Sequence, residues 1–149
     1  MRRFVILLAT WGGTGYSPVA SGTVGTAAAI PLFLILSRLP LPLYLLTVVA
    51  FLFFSCWVSG LAEVIFEEKD SGKIVIDEVV GYLVTMTGVP VSWQGVLAGF
   101  FLFRFFDIVK VEPARYLDRN LKNGYGVVLD DVAAGVYACI CLHIVSRFL

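Results

Sequence analysis

Residues 43–62 read LYLLTVVAFLFFSCWVSGLA, twenty positions without a charged side chain. About 20 apolar residues let a helix cross the ~30 Å hydrocarbon core of a bilayer. A helix also satisfies its own backbone N–H and C=O groups, which lipid cannot do. The segment therefore predicts a membrane-spanning helix. Tyr44 and Trp57 stand toward its two ends, where interfacial aromatic side chains are favoured. The closing stretch, 132–149, is a second candidate span, with Arg147 near its end. Composition agrees: 59% of the 149 residues are hydrophobic and only 15% charged, with a mean hydropathy of +0.91. An ordinary soluble domain carries about 25% charged residues.

Three further apolar segments are shorter. Residues 24–36 contain Pro31, which kinks a helix unless it falls in the first turn. Residues 79–91 and 93–106 are separated by little more than Pro90 and Ser92 and predict a helical hairpin. Thirteen or fourteen residues reach only ~20 Å, so the hairpin either spans a thinned bilayer or re-enters. Gly95 and Gly99 form a GxxxG spacing that permits close helix packing. The expected fold is all-α: a compact polytopic membrane bundle of about four to five apolar helices, some short or re-entrant. The length suits a single domain over 1–149. Met1-Arg2-Arg3 precede only six apolar residues, short of a secretory h-region, and Trp11-Gly12-Gly13 stand in place of a cleavage site, so this end is expected to be retained. Cys56, Cys139 and Cys141 lie in apolar segments without a zinc-type spacing and read as small hydrophobes.

Alternating the five apolar segments gathers the polar connections 1–23, 63–78 and 107–131 on one face. All eleven acidic residues then fall on that face or at its boundary, as do nine of the eleven basic ones, Arg38 and Arg147 excepted. The basic excess assigns that face to the cytoplasm. A formal net charge of zero provides no global field for nucleic acid, and no such partner is expected.

Three constellations on this face carry candidate chemistry. Residues 12–26, GGTGYSPVASGTVGT, run small and hydroxyl residues into a helix start. Such a loop suits anions, although no Lys-Ser/Thr pair makes it a Walker A motif and a purely structural turn stays open. Residues 70–78, DSGKIVIDE, end in Asp77-Glu78 at the start of an apolar helix. The helix dipole favours acids there, while an ionisable pair at a membrane boundary also suggests function. Glu63 joins that face. Residues 104–131 interleave Asp107, Asp118, Asp130 and Asp131 with Arg104, Lys110, Arg115 and Arg119. If the helix continues past Phe106, Asp107 and Lys110 share a face. Pro113 then marks a break, Asn123-Gly124-Tyr125-Gly126 a turn, and Asp130-Asp131 the start of the last helix. Solvated surface charge is the plain alternative. Mixed signs in so lipophilic a chain favour a metal-plus-phosphate site: hard oxygens select Mg²⁺ or Mn²⁺, and Arg and Lys clamp phosphate oxygens. The one histidine, His143, lies far along the last apolar segment, and no cysteine occupies a phosphate loop. Metal-assisted attack by water, or by one of the aspartates, remains.

Four motifs in order, GTVGT at 22–26, IVIDEVVG at 74–81, FRFFDIVK at 103–110 and GVVLDDVAAG at 126–135, make the chain resemble the phosphatidylglycerophosphatase A family over nearly its whole length. The resemblance implies a bacterial inner-membrane, multi-pass enzyme that hydrolyses phosphatidylglycerophosphate to phosphatidylglycerol and phosphate with Mg²⁺, its site facing the cytoplasm. It implies Asp77, Asp107 and Asp131 as catalytic residues. Glu63, Asp77, Glu78, Asp107, Asp130 and Asp131 are the expected metal ligands, and Thr23, Lys110 and Arg115 the expected phosphate contacts. The chain departs from the family pattern at Val111, where proline is usual, at Asn123 in place of a paired glycine, and at Ser21 before Gly22-Thr23. Two alternatives stay open: a phosphatase of another lipid or polyprenyl phosphate, and a non-enzymatic cation-binding membrane protein. Oligomeric state is left open as well.

Overall fold

The structure is a computed structural model that describes residues 2–17, 21–67, 74–109 and 124–148. Among these residues it is all-helical, with six α-helices: α1 (Arg2–Ala9), α2 (Ser21–Leu36), α3 (Leu41–Phe66), α4 (Ile76–Thr85), α5 (Trp93–Ile108) and α6 (Gly124–Val145). Short 3-10 turns cover Thr14–Tyr16 and Ser146–Phe148. Two helical stretches are long and apolar enough to cross a membrane, Leu41–Phe66 and Val128–Phe148, and Gly22–Leu36 is a shorter apolar helix. They expose many large apolar side chains, among them Leu46, Phe53, Val136, Ile140 and Ile144. These features fit a membrane protein.

The centre of the bundle is α4. Only ten residues long, it reaches ~15 Å, too short for a bilayer core. The shortness is tolerated because α4 is enclosed by protein: Val79, Val80, Tyr82 and Leu83 are all fully buried, with α2, α3, α5 and α6 packed around them. The predicted helix over 79–91 is thus shorter and shifted, running from Ile76 and stopping where Gly88 adopts a left-handed φ of 72°. Its buried carboxyl-terminal carbonyls still need donors. Tyr44 Oη donates to Leu83 O at 2.5 Å, Cys139 Sγ to Thr87 O at 3.6 Å, and the His143 ring lies 2.9 Å from Thr87 O. This corrects the expectation for Tyr44: its ring is buried in the core, edge-on to Phe33. An aromatic near a span end can serve either place, and here an orphan carbonyl decides.

Directions alternate. Phe33 packs on Tyr82 and Gly25 on Val75, so α2 runs parallel to α4. Tyr44 meets Leu83 while Ala62 packs with Ile74 and Ile76, so α3 runs against it. Gly99 abuts Met86 while Phe103 lies over Gly81, so α5 also runs antiparallel. The helix α2 passes through Pro31 unbroken. Ser92 caps α5, accepting from Gly95 N–H at 3.0 Å, so Gly95 serves the cap and Gly99 alone the helix contact. The last helix begins at Gly124, not at Asp130-Asp131, which stand well inside it. Beyond them, α6 crosses α4. There Gly81 and Gly135 touch, and a Cβ on Gly135 would sit 2.5 Å from Gly81 O. The two helices run parallel, as Asp131 lies by Asp77, and Cys139 and His143 by Thr87.

Candidate active site

The glycine crossing positions the site. Asp77 lies four residues before Gly81, and Asp131 four residues before Gly135. In a helix that spacing is one turn on the same face, so parallel helices touching at the glycines bring the two aspartates together. Asp77, Asp130 and Asp131 each place one carboxylate oxygen within 4.8 Å of the others, and all three are buried. The Asp131 carboxyl also meets those of Asp77 and Asp107, the latter contributed by the last turn of α5. Glu78 completes the group beside Asp131, Asp107 and Arg104.

Such a cluster is electrostatically costly. Burial, and then the neighbouring Glu78 carboxylate, push Asp77 well above the usual carboxylate range. Burial, followed by the charge of Asp131, raises Glu78 in the same direction. Asp77 Oδ1, Glu78 Oε2, Asp131 Oδ2 and Arg104 Nε are buried without hydrogen-bond partners among the described residues. Arg104 Nη1 donates to Asp107 Oδ2 at 2.5 Å, three residues along α5. One guanidinium does not neutralise five carboxylates. Among the described residues the remaining charge is left for protons or a divalent cation to balance.

The fit to a hard cation is good on this structure's own terms. The ligands are carboxylate oxygens, the type Mg²⁺ and Mn²⁺ prefer, and one oxygen each of Asp77, Glu78 and Asp131 is buried with no donor among the described residues. Asp77, Asp130 and Asp131 are placed to hold such an ion, with Glu78 and Asp107 adjacent. Glu63 stands at the same end of the bundle near the close of α3, outside the group of three. Thr23 lies in the first turn of α2 beside Gly22, whose Cα faces Glu78 and Arg104. Lys110 and Arg115 lie outside the described residues. So does most of the proposed i,i+3 pairing after Phe106, since α5 ends at Ile108 with Val109 extended. Arg104 is a site residue that the sequence reading placed in the 104–131 constellation without giving it a role of its own. Its signal was available in FRFFD, where Arg and Asp at i,i+3 share a helix face.

Comparison with known proteins reaches the same motifs. A profile of the family described as phosphatidylglycerophosphatase A matches residues 7–146. The chain belongs to that family. It is 37% identical over 142 residues to phosphatidylglycerophosphatase A of Escherichia coli, covering 95% of this chain and 83% of the relative. It is also 37% identical to phosphatidylglycerophosphatase A of Haemophilus influenzae, over 96% of this chain and 89% of that one. A Bacteroides thetaiotaomicron protein provisionally named phosphatidylinositol-3-phosphatase is 38% identical over 93% of this chain and 91% of its own length. No solved structure gives a significant match. In this chain, the acidic and glycine positions of IVIDEVVG and GVVLDDVAAG have one explanation: aspartates on one turn, and the glycine that lets the helices meet on the next.

Proposed function

We propose that the chain is a phosphatidylglycerophosphatase, a phosphoric monoester hydrolase that converts phosphatidylglycerophosphate to phosphatidylglycerol and phosphate. The observation that carries this reading is the buried group of Asp77, Asp130 and Asp131 in a chain of this family. Asp77, Asp130 and Asp131 would hold Mg²⁺ or Mn²⁺, which would supply Lewis-acid charge and lower the pKa of a water. Water attacks phosphorus, the P–O bond to the glycerol carbon chain breaks, and the ester oxygen leaves as the alcohol. A carboxylate of the acidic group takes the water's proton and returns it to the departing ester oxygen. Thr23, Lys110 and Arg115 contact the phosphate and stabilise the charge that builds as the ester oxygen departs. The acyl chains stay in the bilayer while the head group enters between α2, α4, α5 and α6.

The location follows from the same arrangement: a multi-pass protein of the bacterial cytoplasmic membrane with the site on the cytoplasmic side, supported by the basic residues of the three polar connections. A second reading, a phosphatase of another lipid phosphomonoester, is favoured by the name of the Bacteroides relative. Purified protein in detergent micelles separates them. With Mg²⁺, phosphate should be released from phosphatidylglycerophosphate faster than from phosphatidylinositol 3-phosphate, phosphatidate or undecaprenyl phosphate, and EDTA should stop it. Preferred turnover of another lipid would assign the second reading, and no turnover of any would return the chain to the cation-binding alternative.

A further inference from the structure

Arg104 has a feature that charge balance does not explain. Its guanidinium is tied at one corner, Nη1 donating to Asp107 Oδ2. It is also boxed in by backbone: a Cβ on Gly22 would lie 3.1 Å from Nη1, 3.2 Å from Nη2 and 2.9 Å from Glu78 Oε1. A side chain at Gly22 would make the fork and Glu78 shift. Yet Nε, fully buried, has no acceptor among the described residues, although the unpartnered carboxylate oxygens of Asp77, Glu78 and Asp131 belong to the same group. A guanidinium present only to neutralise carboxylates would spend its donors on them. An N–H left without an acceptor on a planar fork that is held at its other corner is instead what an incoming oxyanion needs.

We propose that Arg104 is the residue that grips the substrate's phosphate, with Asp107 acting as a positioning residue that holds the guanidinium. This rests on the phosphatase reading above and adds to it a specific anchor, ahead of Lys110 and Arg115. Gly22 is the complement: its missing side chain is the space in which the fork stands. Arg is needed for its geometry, because Lys carries the same charge as a point and offers no bidentate fork.

The test uses the purified full chain in detergent, with inorganic phosphate as the probe, read by thermal shift in saturating Mg²⁺, beside Mg²⁺ alone and lipid turnover. Wild type should be stabilised by phosphate. Arg104→Gln should weaken that phosphate effect by at least about tenfold in apparent affinity, while its Mg²⁺ shift persists. Arg104→Lys should keep the Mg²⁺ shift but recover neither phosphate affinity nor kcat/KM. Rescue of both by Arg104→Lys would overturn the proposal, since charge alone would then suffice. So would wild-type protein that shows no phosphate effect, or an Arg104→Gln variant that binds phosphate like wild type. If Arg104→Gln fails to fold, the lysine variant decides. A wild type that binds phosphate through Arg104 yet hydrolyses no lipid would sink the phosphatase reading and leave the anion site standing.

Discussion

Asp77 and Glu78 make the site a store of protons in the absence of metal. Both are held above the usual carboxylate range, by burial first and by neighbouring acids second. The folded chain therefore binds these protons more tightly than the unfolded chain does. Their contribution to stability is complete at acid pH and is lost as pH rises from the ordinary carboxylate range through the raised values. A divalent cation replaces the protons, so its effect must run the other way. Thermal melts of metal-free protein should show stability falling between mild acid and neutral pH, and the gain in Tm on adding Mg²⁺ should grow over the same interval. A gain independent of pH would separate the cation from these carboxylates. At the opposite end, Tyr44→Phe removes the donor to Leu83 O. It should cost about 1 kcal/mol in an unfolding measurement and leave turnover nearly intact.

At the scale of elements, the crossing of α4 and α6 is the device on which the site depends. Gly135→Ala would push a methyl group into the Gly81 carbonyl. Backbone on both sides has no rotamer to yield, so the helices must separate. The expected loss is about 1–3 kcal/mol of stability, with a disproportionate fall in kcat as Asp77 and Asp131 move apart. Gly60→Ala, where an added Cβ meets nothing within 4 Å, is the matched control, read by the same melt and assay. Part of this arrangement was legible. The aspartates were visible as charges bordering apolar runs, and Asp followed four residues later by Gly occurs in both IDEVVG and DDVAAG. What no local period carries is that α4 and α6 pair parallel across the whole of α5 and the polar connection after it. Without that pairing, the glycines of residues 124–126 read as a turn, and Asp130-Asp131 as a helix start. Arg104 was passed over for a related reason. Its partners Gly22 and Glu78 come from other helices, so sequence alone ranked it no higher than Lys110 or Arg115.

For the whole molecule, burying the short α4 inside its neighbours allows a ten-residue helix at the heart of a membrane bundle. That places the acidic group at one end of the bundle and the His143–Thr87 contact at the other. In a variant lacking its native cysteines, a cysteine at Leu39 should react with a membrane-impermeant maleimide in intact cells, and one at Glu67 only after lysis. The reverse pattern would invert the topology. The central claim is that buried Asp77, Asp130 and Asp131 hold the divalent cation that makes this chain a lipid phosphatase. Its most direct test is phosphate release from phosphatidylglycerophosphate by wild type and Asp131→Asn across a Mg²⁺ titration, with Mn²⁺ binding followed on the same samples. The account predicts that the variant loses Mn²⁺ affinity and at least about 100-fold in turnover, more than the loss of an outer partner would bring. Full turnover by Asp131→Asn, or wild-type turnover undiminished in EDTA, would contradict it.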